Sequence, residues 1–291
     1  MENRINGHTR LFCLIGSPVG HSGSPAMYNY SFDRLGLDNA YLAFDIPLEK
    51  TGEAVEALKL LHVGGFNITM PCKTEVAKYL DDLSPAARLI GACNTVTVSE
   101  DGKLTGHNTD GVGFVRNLKE HGVDVAGKKI VVLGAGGAAT AVTIQCALSG
   151  ASEVHIFNRK GYNFYENGER TVEKIRANVP GCQASIDNLL DSAALAEAVG
   201  SCDILVNATK VGMAPLDGET LIDPSLFRPD LVVADTVYNP RETRMIWEAQ
   251  AAGCKAAIGG IGMLLQQGVE AFHLFTGKDM PAQEVMEKFF S

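Results

Sequence analysis

Short apolar runs rich in β-branched and aromatic residues alternate along this chain with stretches of helical period. "RLFCLIG" (10–16) leads into helix-like "SPAMYNYSFDRLG", and "AYLAFDI" (40–46) leads into "LEKTGEAVEALKLLHV". "GFNITM" (65–70) reads as a strand and "KTEVAKYLDDLSPAARLIG" (73–91) as a helix. "NTVTVSEDGKLTGHNTD" reads as a β-hairpin turning at Asp101-Gly102. This first unit is mixed α/β. A second begins with "GKKIVVLGAGGAATAVTIQCALSGA" (127–151), a strand, a glycine turn and a helix. The strand candidates "EVHIFN", "DILVNAT", "LVVADTVY" and "KAAIG" follow at spacings that leave room for helices. That alternation predicts a parallel, doubly wound sheet. The tail from Gly262 has helical period, with Leu265, Val269, Phe272 and His273 near one face.

The expected fold is therefore a two-lobed α/β protein, a mixed α/β lobe followed by a Rossmann-type lobe. The pattern places the units at 1–113, 114–258 and 259–291, with short hinges around 111–115 and 258–262. A chain of 291 residues can bury two cores.

Composition narrows the function. Hydrophobic residues make up 46% and charged residues 20%, the profile of an ordinary soluble α/β protein. A net charge of −9 argues against nucleic acid or an anionic membrane as partner, because phosphate binding relies on clustered cations. The first ten residues have no leader-like apolar core, and no run is long and apolar enough for a span. Seven dispersed cysteines without a C-x-x-C suit a reducing compartment, so a cytoplasmic location is expected. The seven histidines show no metal-ligand spacing, and no metal is assigned.

"GAGGAA" fits the G-x-G-x-x-G/A fingerprint. Gly134 makes the tight turn, Gly136 permits close backbone approach, and Ala139 packs helix on strand. Gly134, Ala135, Gly136, Gly137 and Ala138 would receive a pyrophosphate at the helix N-terminus. The second strand ends in Asn158, Arg159, Lys160 and Gly161. Two cations where NAD sites usually carry an acid favour the 2′-phosphate of NADP, while Asn158 keeps NAD open.

In "GHSGSP", Ser24 followed by Pro25 reads as an N-cap with proline at the first helical position. Ser22 is not needed for that cap, and two hydroxyls at a helix N-terminus suit a carboxylate. "GHSGSP", "NITMPCK", "GACNT", "NTDG", "GAGGAA", "NATKVGM", "VYNP" and "GMLLQQG" occur in this order across about residues 10–275. In this the chain resembles the shikimate dehydrogenase family. Lys210 in "NATKVGM" points to its quinate/shikimate branch.

The resemblance implies reversible NAD(P)-dependent oxidation of shikimate to 3-dehydroshikimate, a step of aromatic amino acid biosynthesis. It also implies oxidation of quinate to 3-dehydroquinate. Removing hydride from an alcohol carbon requires the hydroxyl proton to leave too. The resemblance gives that task to Lys73, with Asp110 as partner carboxylate. A lysine with the ordinary pKa of ~10.4 donates at neutral pH. Lys73 would then steady the oxyanion, or act as a base where its surroundings disfavour the cation. By motif, Ser22 and Ser24 bind the carboxylate, and Thr69, Asn94 and Gln267 bind ring hydroxyls. Tyr238 lies near substrate and nicotinamide. Asn207, Thr209, Lys210, Val237 and Gly260 line the cofactor's path. Tyr41 reads as a core aromatic and Asn67 as stabilising its own turn.

Three positions depart from the family pattern. Gly259 stands where an aspartate is usual, so a hinge contact is expected to be missing. Cys72 replaces a residue that is more often aromatic, which would widen the pocket. Gly161 lacks an acid that favours NAD in relatives. The partner expected is a small polyol carboxylate, and the protein a monomer or homodimer. Two alternatives stay open: a related two-lobed dehydrogenase for another hydroxy acid, and an NADP-binding regulator of the same fold.

Overall fold

The structure is a computed structural model that describes residues 5–290. The chain divides into two compact units, one formed by residues up to Thr109 together with those from Gly268 on, the other by Asp110–Gln267.

The first unit is built on a six-stranded mixed sheet. Its strands are β1 (Arg10–Gly16), β2 (Asn39–Asp45), β3 (Gly65–Ile68), β4 (Asp82–Leu83), β5 (Thr95–Val98) and β6 (Leu104–His107), in the order β2-β1-β3-β5-β6-β4. The β1–β2 and β1–β3 pairs are parallel, and β5–β6 is the expected antiparallel hairpin. Both faces of β1 are covered, which is why it reads as a continuous apolar run and not an alternating one. On one face Phe12 meets Phe32 of α1 (Ser24–Arg34) and Phe275 of α9 (Ile261–Thr276). Tyr41 is fully buried and stacks on Tyr28 at 4.4 Å between ring centroids. On the other face Cys13, Ile15, Phe66 and Ile68 pack with Val55 and Leu58 of α2 (Thr51–Leu60).

The segment 73–91 is not one helix. It holds a single tight turn at Val76–Tyr79, strand β4, and then α3 (Pro85–Ile90). Ser84 caps α3 by accepting from Ala87 N, and Pro85 takes the first position, so the helix starts afresh there. At the C-terminus α10 (Ala282–Phe289) lies against α1. Glu284 accepts from Tyr30 Oη and from the Arg34 guanidinium, each at 2.7 Å.

The second unit carries a six-stranded, wholly parallel sheet. Its strands are β7 (Lys129–Leu133), β8 (Glu153–Asn158), β9 (Gln183–Asn188), β10 (Ile204–Asn207), β11 (Val232–Asp235) and β12 (Ala256–Ile258). The order β12-β11-β10-β7-β8-β9 is that of a dinucleotide-binding sheet, reversing between β7 and β10. Its helices are α4 (Asp110–Glu120), α5 (Gly137–Leu148), α6 (Tyr165–Asn178), α7 (Ser192–Ser201) and α8 (Arg244–Ala251). Strand β9 has no counterpart in the sequence reading. It is an edge strand that buries little, and its polar residues Gln183, Ser185, Asp187 and Asn188 hide it.

The compact units part at 109/110 and 267/268, whereas the sequence pattern places boundaries at 113/114 and 258/259. Residues 111–115 are the first turns of α4 rather than a hinge. A Cβ on Gly111 would lie 2.5 Å from Ala141 O on α5, and one on Gly113 would lie 2.5 Å from Gln267 N on α9. Glycine at both places lets α4 press against two helices, and this fixes it in the second unit. The tail helix buries Leu265 and Phe272 as expected, but His273 is exposed and pairs with Asp279.

Candidate active site

In the second unit, β7 ends at Leu133 and the chain turns at Gly134 with φ +108°, a conformation L side chains rarely adopt. A Cβ there would also lie 2.9 Å from Ala208 O and from the Thr209 methyl. Gly134 N donates to Phe157 O, and Ala208 N to Leu133 O, so the turn is stitched to both neighbouring strand ends. Gly136 is extended and α5 begins at Gly137. Cβ atoms built on Gly136 or Gly137 would meet nothing within 4 Å, leaving open space at the helix N-terminus with its unpaired amides. The residues present therefore fit a pyrophosphate. Ala135 is buried while Ala138 is exposed on the first turn. Asn167, which the sequence reading passed over, donates to Ala135 O at 2.7 Å and to Thr140 Oγ1 at 2.9 Å and pins the turn.

At the end of β8, Asn158 donates weakly to Asn163 O at 3.4 Å. The exposed Arg159 guanidinium lies 4.8 Å from the centre of the Tyr162 ring. Lys160 is exposed and its backbone N–H donates to Asn188 Oδ1. Asn158, Arg159, Tyr162, Phe164 and Thr209 line a cavity of about 400 Å³. Phe164 has φ +75°, which costs a non-glycine residue about 1–3 kcal/mol. Only the aromatic spacing in "GYNFY" hints at it.

Asn207 and Thr209 stand where β10 ends, and Lys210 is exposed beyond them. The Asn207 side chain is 3% exposed and its bonds are internal. Its Oδ1 accepts from Thr209 N and Oγ1, and its Nδ2 donates to Val211 O and Asp235 Oδ1. It shapes the loop with its side chain rather than presenting it. Val237 is buried and Tyr238 half-exposed in the loop after β11. Gly260 N donates to Val237 O, and a Cβ on Gly260 would lie 2.5 Å from that oxygen. Gln267 Nε2 donates to Leu264 O on α9. Asp110 is partly buried at the start of α4. Gly259, where a side chain contact was expected to be missing, is held by its carbonyl, which accepts from Asn117 Nδ2 at 3.1 Å.

In the first unit, α1 starts at Ser24, so Ser24 is the first helical residue and Gly23 occupies the cap position. Ser22 Oγ accepts from Ser24 N at 3.2 Å. The N-terminal amide is thus satisfied by Ser22, the reverse of the sequence expectation. Thr69 follows β3, and its N–H donates to Ile15 O. Lys73 is partly buried in the turn beyond, and its carbonyl accepts from Cys93 N. Cys72 is fully buried in the core and its thiol donates to Ile46 O, so it fills the core instead of widening a pocket. Asn94 Oδ1 accepts from Thr109 N and its Nδ2 donates to Thr109 Oγ1, which ties it to the "NTD" segment at the end of β6. Asn67 bridges strands rather than its own turn, accepting from Tyr41 Oη at 2.7 Å and donating to Thr95 Oγ1 at 2.9 Å.

Among the described residues no cluster of His, Cys, Asp or Glu is arranged to hold a metal, and no helix is long and apolar enough to cross a membrane. A parallel sheet with its strand order reversing at a glycine turn, followed by a helix N-terminus open to a pyrophosphate, places the chain among the NAD(P)-dependent dehydrogenases. The shikimate dehydrogenase substrate-binding domain matches residues 14–96, and the shikimate 5′-dehydrogenase C-terminal domain matches residues 260–288. A shikimate dehydrogenase (NADP(+)) of Listeria monocytogenes is 48% identical over 291 residues, covering 100% of this chain and 99% of its own. A crystal structure of shikimate 5-dehydrogenase from Listeria monocytogenes, in complex with shikimate and NAD, superposes with a TM-score of 0.95 at 46% identity, covering 99% of this chain and 98% of that one. Quinate dehydrogenase from Corynebacterium glutamicum superposes with a TM-score of 0.85 at 30% identity over 97% and 99% of the two chains. The chain belongs to the shikimate dehydrogenase family.

Proposed function

We propose that this chain catalyses the reversible oxidation of shikimate to 3-dehydroshikimate with NADP, and accepts quinate as a second substrate. A bound nicotinamide dinucleotide supplies the hydride acceptor. Gly134 to Ala138 hold its pyrophosphate through backbone amides, and Arg159 and Lys160 hold the 2′-phosphate. The observation that carries the cofactor reading is the end of β8, where Asn158, Arg159 and Lys160 stand with no carboxylate as far as Gly161. NAD as an alternative cofactor is favoured by the NAD bound in the Listeria structure.

On this reading Lys73 and Asp110 carry the proton chemistry. In oxidation the neutral Lys73 amine takes the hydroxyl proton as the carbon gives up its hydride to the dinucleotide. In reduction the ammonium returns that proton to the carbonyl oxygen, and Asp110 orients Lys73 and a neighbouring hydroxyl. Ser22 and Ser24 hold the substrate carboxylate at the start of α1, where the helix dipole favours an anion. Thr69, Asn94, Tyr238 and Gln267 position the ring. Seven free cysteines support a cytoplasmic location.

Initial rates for shikimate and quinate, each with NAD and NADP, test all of this. The expected order places shikimate with NADP first in kcat/KM. A higher value with NAD would overturn the cofactor reading. Tight dinucleotide binding without turnover of either acid would replace the dehydrogenase with a regulator.

A further inference from the structure

Behind the loops after β10 and β11 lies one carboxylate with no place in the chemistry above. Asp235 ends β11 opposite Asn207 in the parallel register and is 1% exposed. Its Oδ1 accepts from Asn207 Nδ2 at 3.0 Å and from Val237 N at 2.9 Å. Its Oδ2 accepts from Thr243 Oγ1 at 2.6 Å. Thr243 is the N-cap of α8 and is itself 1% exposed.

Each partner governs a different stretch of backbone. Asn207 uses its remaining capacity on Thr209 and Val211, which sets the course of residues 207–211. Thr209 Oγ1 in turn accepts from Val211 N. The bond to Val237 N fixes the bend after β11, and Val237 O then receives Gly260 N. Gly212, at φ +96°, passes so close to Thr243 that a Cβ would lie 3.0 Å from its methyl. The candidate cofactor residues Asn207, Thr209, Val237 and Gly260 thus share one hidden anchor. Three donors converge on the carboxylate, which an apolar side chain of that size would leave unpaired.

We propose that Asp235 is a positioning residue of the dehydrogenase, its buried carboxylate holding segments 207–211 and 236–238 in the form that receives the dinucleotide. The proposal rests on the dinucleotide reading of the preceding section. Burial pushes the carboxyl up to about 6, with the donors Thr243, Val237 N and Asn207, and the Thr236 backbone N–H, opposing that shift. The arrangement tolerates loss of the charge. An amide oxygen takes the place of Oδ1 for two of the donors, and its nitrogen donates to Thr243 Oγ1 once that hydroxyl reverses. Shape and acceptor, more than charge, define the role.

The test is direct titration with NADPH, followed by its fluorescence, on full-length protein carrying Asp235→Ala or Asp235→Asn. The Ala variant is expected to bind NADPH about tenfold more weakly, because buried donors lose their acceptor. The Asn variant is expected to stay within about threefold of wild type, since it keeps the acceptor. Steady-state rates accompany the titration, and the rise is expected in KM for NADP rather than in KM for shikimate. A role confined to stability would lower Tm while leaving the Kd of the folded protein unchanged. An Ala variant that binds NADPH as wild type overturns the proposal, and so does an Asn variant no better than Ala. Should Asp235→Ala fail to fold, Thr243→Val removes the donor to Asp235 together with the cap bond from Ile246 N, and Thr243→Ser keeps both. The proposal then requires weaker NADPH binding in the first, recovery in the second, and falls without them. Wild-type protein that did not bind NADPH would bring down the dinucleotide reading itself, and this inference with it.

Discussion

Adding one methyl group at Gly262 tests how the turn carrying Gly260 is held. A Cβ built there lies 1.9 Å from Asn117 Oδ1 and 2.6 Å from its Cγ, far inside van der Waals contact. Asn117 cannot swing aside freely. It is 2% exposed on α4, and its Nδ2 donates to Gly259 O at 3.1 Å. Making room breaks that bond and strands a buried amide, which costs about 1–3 kcal/mol. Overpacking adds about 1–3 kcal/mol. The helix propensity gained on replacing glycine returns at most about 1 kcal/mol. Gly262→Ala is therefore expected to destabilise the protein by about 1–5 kcal/mol. At roughly 2–4 °C per kcal/mol for a unit of this size, Tm falls by roughly 2–20 °C.

A double-mutant cycle read by thermal and urea unfolding separates this clash from a general intolerance of side chains at the start of α9. Asn117 Oδ1 has no hydrogen-bond partner among the described residues, so Asn117→Ala removes the obstacle while sacrificing only the bond to Gly259. In that background Gly262→Ala is expected to be neutral or stabilising, so the coupling equals the whole of the single-mutant loss, about 1–5 kcal/mol. An equal loss in both backgrounds would refute the reasoning and place the strain elsewhere.

Three further outcomes follow from the structure. Lys73→Ala is expected to lower kcat by about 10²–10⁴, the range for a positioned proton-transfer group, with the NADPH Kd within twofold of wild type; near-normal turnover would remove Lys73 from the chemistry. Arg159→Ala is expected to raise the Kd for NADP by about tenfold or more while leaving that for NAD nearly unchanged, because a charge-assisted contact to the 2′-phosphate exists only in NADP; equal effects on both would move that phosphate elsewhere. For Asp235, the folded pKa of about 6 lies above the ~3.9 of an unfolded carboxylate, so its contribution to stability is complete below pH ~4 and declines as pH rises toward 6. The stability of wild type relative to Asp235→Asn should thus fall by up to about 3 kcal/mol between pH 4 and 6.5 in urea titrations, and a flat difference would show that burial does not govern this group.

Much of the fold was legible because its strands announce themselves. "RLFCLIG" coincides with β1, and the starts and ends of β7, β8, β10 and β11 follow the apolar runs closely. Such strands are covered on both sides, so nearly every residue in them is apolar. Where burial is partial the signal fades. β9 lies at a sheet edge with polar residues along it, and β4 is two residues long. The segment 73–91 has helical composition, but composition does not reveal that Ser84 and Pro85 begin a new helix.

The site divides along the same physical line. Residues that would touch a ligand through backbone or charge, such as Gly134, Arg159 and Lys73, stand in short contiguous motifs and were legible as candidates. Residues that hold those motifs in place were not, because their partners are distant in sequence. Asp235 meets Asn207 across 28 positions and Thr243 across 8, and Asn167 reaches back 32 positions to Ala135. An aspartate closing the run "LVVAD" looks like any turn aspartate until the parallel register sets Asn207 beside it. Ser24 likewise gives way to Gly23 at the cap position, with Ser22 Oγ accepting from Ser24 N, since a cap depends on where the chain bends and not on which hydroxyl comes last. Short-range motifs identify the groups that would bind, whereas buried polar bonds between strand ends set their geometry, and only the folded register brings those bonds together.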